Sequence, residues 1–149
     1  MNYNSLRNNI WQDHFVELTL REALTKGVEA HKAGQLQEAD KFYTAILQEQ
    51  PNHPEANHNM GVLAVAAGKV QEALPFFKTA LEANPNAAQF WLSYIDTLIK
   101  LGRLADAKSV LDQGKNKPDF AVAYNNLGIA LKNKGDLVAA IDNYKQALK

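Results

Sequence analysis

The side chains that could do chemistry are few in this chain, and their spacing does not gather them. Four histidines, His14, His31, His53 and His58, never stand at the i, i+4 interval that places two imidazoles on one helical face for a metal ion. His53 and His58 lie five apart across Pro54, so their side chains should diverge. The absence of cysteine removes disulfides, thiolate catalysis and thiolate metal sites. There is no phosphate loop, no G-x-S-x-G and no dinucleotide fingerprint, and Gly68-Lys69 lacks the glycine-rich run a phosphate cradle needs. Carboxylates are scattered along helical surfaces rather than paired across a cleft. Lys115 and Lys117 beside Pro118 make a small basic patch that reads as a solvated turn, not a nucleic-acid contact. No catalytic residue, no metal ligand and no cofactor site is expected. The chain reads as non-enzymatic.

The elements that carry these side chains are set by a repeat. Gly34, Gly68, Gly102 and Gly135 recur at spacings of 34, 34 and 33 residues. Each opens the same phrase: Gly34-Gln-Leu-Gln-Glu-Ala39, Gly68-Lys-Val-Gln-Glu-Ala73, Gly102-Arg-Leu-Ala-Asp-Ala107 and Gly135-Asp-Leu-Val-Ala-Ala140. A fixed period near 34 is the mark of a helical-hairpin solenoid. Apolar residues at helical spacing over 54–66 and 70–82, and over their counterparts, predict two helices per unit. The glycine between them is where a helix ends in the left-handed conformation. Pro51, Pro85 and Pro118 mark the turn after each second helix, because proline cannot continue it.

Small residues recur where helices must approach closely: Ala39, Ala73, Ala107 and Ala140 in the second helix, and Gly27, Gly61 and Gly128 facing them from the first, with Ile95 the exception. Large ones alternate with them at Tyr43, Phe77, Leu111 and Tyr144. Such alternation lets paired helices interdigitate.

These residues make the chain similar to the tetratricopeptide repeat family. Asn57-His-Asn-Met60-Gly61-Val-Leu-Ala64, Gly68, Ala73, Phe77, Ala80 and Pro85 carry the resemblance, and Tyr124-Asn-Asn-Leu127-Gly128-Ile-Ala-Leu131, Gly135, Ala140, Tyr144 and Ala147 match as well. Repeat three departs at Ile95 and Gly114, and repeat one at Lys26. The resemblance covers residues 20–149, as units 20–53, 54–87, 88–120 and an incomplete 121–149. It implies an all-α fold, a right-handed superhelical solenoid of antiparallel helix pairs. Residues 1–19, with Leu6, Ile10, Trp11, Phe15 and Leu18 at amphipathic spacing, are expected to form a capping helix.

Formal charge is zero, so nothing global favours nucleic acid or an anionic membrane. Residues 1–99 carry 7 Lys/Arg against 11 Asp/Glu, and 100–149 carry 9 against 5, a mild dipole along the array. The N-terminus is too polar for a signal peptide, and the apolar run from Val62 to Ala67 is too short to span a bilayer. A cytoplasmic location is the expectation.

In the resembling family the first helix of each unit lines a concave groove. Its groove positions carry over to Arg21, Leu24, Thr25, Val28, His31 and Lys32 in repeat one, and to Glu55, His58, Asn59, Val62, Val65 and Ala66 in repeat two. In repeat three they are Gln89, Leu92, Ser93, Asp96, Ile99 and Lys100, and in repeat four Val122, Asn125, Asn126, Ile129, Lys132 and Asn133. The resemblance implies a protein or peptide ligand contacted by His58, Asn59, Val62, Asp96, Ile99, Asn125, Asn126 and Ile129. Asn59 and Asn126 share one frame position, with Thr25 and Ser93 on the other rungs. An amide can donate to one backbone group and accept from another, which suits an extended peptide. A similar asparagine ladder lines the repeat arm of O-linked N-acetylglucosamine transferases, which makes a substrate-recruiting arm of a larger enzyme the alternative. The basic clamp by which chaperone-cochaperone members hold a C-terminal carboxylate is missing. Its positions are Leu24, Val28, Asn59, Gln89 and Ser93 in one frame, and His58, Val62, Ser93, Val122 and Asn126 in the other.

The terminal helices are candidates for pairing copies of the chain into a scaffold. Ile141, Tyr144 and Leu148 should be partly exposed at the C-terminal end.

Overall fold

The computed structural model describes residues 10–114 and 120–149, with side chains from Thr19 onward. Among the described residues eight helices succeed one another: α1 (Ile10–Lys32), α2 (Leu36–Glu49), α3 (Pro54–Ala66), α4 (Val70–Ala83), α5 (Ala88–Lys100), α6 (Leu104–Gln113), α7 (Ala121–Lys134) and α8 (Leu137–Ala147). They pack as four antiparallel hairpins, α1–α2, α3–α4, α5–α6 and α7–α8, and each hairpin leans on the next.

The four turn glycines have φ of +75°, +77°, +71° and +94°, the left-handed conformation the repeat predicts. The residue after each glycine closes its turn by reaching back to the preceding helix. Gln35 donates to the Ala30 carbonyl, Lys69 to Ala64, Arg103 to Leu98 and Asp136 to Leu131, at 2.8–2.9 Å. Those bonds satisfy carbonyls that a helix end would otherwise leave open.

Within a hairpin the small-and-large alternation is steric. A methyl group at Gly27, Gly61 or Gly128 would lie 2.6 Å from Cε1 of Tyr43, Phe77 or Tyr144. Repeat three solves the same packing with the volumes exchanged: Ile95 stands where the others have glycine, Leu111 where they have an aromatic ring, and both are fully buried. Gly114, the other departure, makes room for the buried Phe120 ring at the start of the next hairpin.

Between hairpins, the fourth residue of helix A ties down the turn before it. The buried Asn57 amide donates to the Pro51 and His53 carbonyls at 2.9 Å, and Trp91 Nε1 donates to the Pro85 carbonyl at 2.8 Å. His53 Nδ1 caps α3 by accepting from the Ala56 N–H at 3.2 Å.

The capping helix expected over residues 1–19 falls mostly outside the described residues. From Ile10 the chain is already in α1 and runs without a break to Lys32. No proline and no turn glycine interrupts it. Residues 1–9 and the side chains of Ile10, Trp11, Phe15 and Leu18 lie outside the described residues, as do Lys115, Lys117 and Pro118.

Candidate functional site

Helices α3, α5 and α7 are the first helices of repeats two to four, and their inward positions come together along one face. A concavity lies between α5 and α7. It has a volume of about 260 Å³ and is lined by Gln89, Leu92, Ser93, Ile95, Asp96, Ile99, Val122, Ala123 and Asn126. Leu92, Ile95, Ile99 and Val122 supply an apolar floor, and Gln89, Ser93, Asp96 and Asn126 supply polar groups around it. Asp96 is paired with Lys100 at 3.0 Å, so the cleft carries no net charge from this pair. Among the described residues the Asn126 amide makes no hydrogen bond within the chain. Its donor and acceptor both remain available.

Of the eight residues singled out from the sequence, this cleft gathers Asp96, Ile99 and Asn126. Asn125 and Ile129 stand exposed on α7 beyond its lining, and Val62 is half-buried on α3. His58 is placed differently from an open groove histidine. Its ring is stacked on Phe90, with centroids 4.9 Å apart and planes 28° from parallel, and it meets Phe77 at 5.5 Å. Its Nε2 lies 2.8 Å from Ser93 Oγ, which also accepts from Gln89 Nε2 at 3.3 Å. The serine oxygen keeps a second lone pair and its own proton, so the ring tautomer sets the direction of the His58–Ser93 bond. Burial lowers the His58 pKa, and the Asn59 amide beside it offsets part of that fall. His58 is thus a joint between repeats two and three.

Asn59 is flanked by His58 and by the Tyr43 hydroxyl. That hydroxyl is buried and approaches the amide without reaching hydrogen-bond geometry, while burial raises its pKa. Thr25, the first rung of the expected ladder, spends its hydroxyl on the Arg21 carbonyl at 3.1 Å. Ser93, the third, is engaged with His58. Among the four rungs, only Asn126 faces the cleft with its side chain uncommitted.

Among the described residues, no group of three or more His, Asp or Glu side chains could hold a metal ion, and no helix is long and apolar enough to cross a membrane. Stacked helical hairpins with a polar-rimmed inner face define a repeat solenoid, a class built around an extended interaction surface. The profile of the tetratricopeptide repeat matches residues 64–128, and a second profile of the same repeat matches 121–149. The chain belongs to the tetratricopeptide repeat family and is a protein-interaction module of that kind.

No curated protein sequence is significantly similar to it. Solved structures share the fold. A double mutant of MamA from strain RS-1 is 24% identical, with a TM-score of 0.74 over 87% of this chain and 74% of that one. MamA from residue 41 to its end, from Desulfovibrio magneticus RS-1, is 18% identical over 87% and 73%, with a TM-score of 0.73. A mutant O-GlcNAc transferase from Thermobaculum terrenum is 21% identical over 87% of this chain but only 26% of the enzyme, with a TM-score of 0.67.

Proposed function

We propose that the chain binds an extended peptide segment of a protein partner along its concave face, centred on the cleft between α5 and α7. One observation carries this reading. The cleft combines an apolar floor, from Leu92, Ile99 and Val122, with the uncommitted amide of Asn126 at its edge. An apolar side chain of the ligand would enter the floor while Asn126 pairs with the backbone beside it, a division of labour common to extended-peptide recognition. Asn59 is a weaker contributor, because it also packs against Tyr43 and His58.

A substrate-recruiting arm is the second reading. It is favoured by the asparagines at matching positions in repeats two and four and by the likeness to part of the O-GlcNAc transferase structure. The two readings differ in whether a catalytic domain adjoins the array, not in how the groove works.

The test starts from an array of immobilised dodecapeptides of varied sequence, from which the best binder is titrated by fluorescence polarisation. Replacing Asn59 and Asn126 together by Ala should weaken it about tenfold, the loss expected for one or two net hydrogen bonds. Ile99→Asp should weaken it further by placing a charge on the apolar floor. Unchanged affinity in both variants would remove the concave face as the binding surface.

A further inference from the structure

One position on the concave face changes character from unit to unit. The ninth residue of each repeat is Val28, Val62, Asp96 and Ile129, three aliphatic side chains and one carboxylate. Asp96 stands in the wall of the α5–α7 cleft and is the one charged side chain among the residues that line it. Its partner is Lys100, four residues on along the same helix, with Nζ 3.0 Å from Oδ2 and both side chains about half exposed. Exposed pairs at this spacing add little to folding, because solvent screens them. The pair also leaves Oδ1 without a partner among the described residues. Neither packing nor stability accounts for a carboxylate where the other units keep valine or isoleucine.

Its surroundings decide what ligand group it fits. Leu92 lies one helical turn before Asp96 and Ile99 one turn after it, so the carboxylate rises from an apolar stripe on α5, and Val122 adds to that stripe from α7. A ligand carboxylate seated there would meet a like charge. An uncharged side chain would take water from Asp96 and return no bond to Oδ1. A lysine or arginine answers both parts of the surface, since its methylene stem covers apolar residues while its head reaches the oxygen. Approach from the start of the helices meets no like charge: residues 54–60, 88–94 and 121–127 of α3, α5 and α7 carry Glu55 and no Lys or Arg. Lys100 and Lys132 stand toward the helix C-termini, outside the lining of the cleft.

We infer that the α5–α7 cleft selects a basic side chain of the bound peptide, whose stem lies on Leu92 and Val122 and whose charged head takes the place of Lys100 at Asp96. The inference rests on the concave-face reading and narrows it: the part of the ligand that covers Leu92 and Val122 is the stem of a lysine or arginine, while Asn126 serves the backbone beside it. Asp96 is then a specificity residue. Lys100 is its competitor and gives way readily, because an exposed pair is weak. Two neighbours on one helix therefore act with opposite sign. Loss of the Asp96 charge weakens binding and loss of the Lys100 charge strengthens it, whereas a purely structural pair would make the two losses alike.

The probe is the best binder from an array of N-acetylated dodecapeptides of varied sequence, titrated into the full chain by fluorescence polarisation. Acetylation removes the terminal amine as a rival cation. That peptide should contain lysine or arginine. Replacing the engaged residue by norleucine, which keeps a stem and drops the charge, should weaken it about tenfold, as for loss of a hydrogen bond to a charged group. With Asp96→Asn the basic and norleucine peptides should bind alike, and Asp96→Val, which copies the other units, should reverse the preference. Lys100→Gln should tighten the basic peptide about threefold and leave the norleucine peptide unchanged. Both positions are half exposed, so these variants should fold, which circular dichroism checks. Joint replacement of Asn59 and Asn126 by Ala reports on the concave face itself. If that pair weakens binding, a best binder without lysine or arginine overturns the inference and leaves the concave-face reading standing. So does a preference for the basic peptide that survives Asp96→Asn, or a Lys100→Gln variant that does not tighten it. If neither the asparagine pair nor Ile99→Asp changes the affinity, the concave-face reading falls and this inference falls with it.

Discussion

His58 illustrates how one side chain changes role between sequence and structure. At its frame position the family pattern points into the groove, yet the ring is held between Phe77 and Phe90 and bonded to Ser93 across the repeat junction. The signal was present in the sequence as aromatic residues on both neighbouring helices, but only the fold brings Phe77 and Phe90 to the same point. This burial makes stability depend on pH. It lowers the folded-state pKa below the ordinary value of 6.5, so the unfolded chain binds the proton more readily. The neutral ring's contribution is present above 6.5 and is lost as pH falls from there toward the lowered folded-state value. Urea unfolding at about pH 7.5, 6.5 and 5.5 should show decreasing stability, and His58→Gln should flatten that part of the profile. A wild-type profile that does not change across that range, or a variant profile parallel to it, would remove His58 from the account.

Helices and turns were the most legible level. The four glycines announced their positive φ because the same backbone turn recurs at a fixed period and L side chains resist it. The α3 range matches the apolar spacing, and α4 extends it by one residue. Repeat three was legible as a departure at Ile95, while its compensation by Leu111 became clear only when the two were seen in contact layers of one hairpin. Pro75 gave the opposite problem. It sits inside α4, where a proline argues for a break, yet the helix runs through it. Its ring is exposed and the Thr79 hydroxyl donates to its carbonyl at 2.9 Å, while the Gln71 carbonyl has no N–H from residue 75 to receive. Packing of Ala73, Leu74 and Phe77 holds the helix in spite of it. Pro75→Ala should therefore stabilise the array by about 2 kcal/mol, the interior-helix penalty of about 3 less about 1 for a looser unfolded chain. The check is the urea midpoint monitored by circular dichroism. A lower midpoint would mean that the proline ring contributes packing worth more than the helix loses.

At the scale of the whole molecule, stability in a solenoid is a sum over hairpins and the junctions between neighbours. The junctions here are unequal. Repeats three and four share one large core built from Ile95, Leu98, Leu111, Phe120 and Leu127, while repeats one and two share a smaller one, from Ala39, Tyr43, Ile46, Ala56 and Leu63. Beside that smaller core lies an open cleft of about 750 Å³, where Asp40, Ala64 and Ala67 stand in place of the Leu74, Leu98 and Leu101 of the next junction. That inequality was written in Asp40, Ala64 and Ala67, but a small side chain reads as a cavity only once its neighbours are known not to close over it. The first hairpin should accordingly open in a sub-global step below the cost of unfolding the rest, as weakly coupled units do. Native-state hydrogen exchange would show the slowest amides of α2 exchanging sooner than those of α5 and α7. Ala64→Leu with Ala67→Leu would add partly buried apolar area at that junction, on the order of 1–2 kcal/mol for two half-buried leucines. The amides of α2 should then slow by about tenfold, while those of α7, well beyond the filled junction, should keep their rates. Equal slowing in α2 and α7 would mean that the array opens as one unit and the cleft is not its weak joint. No slowing in either would mean that the junction between repeats one and two is already closed in solution.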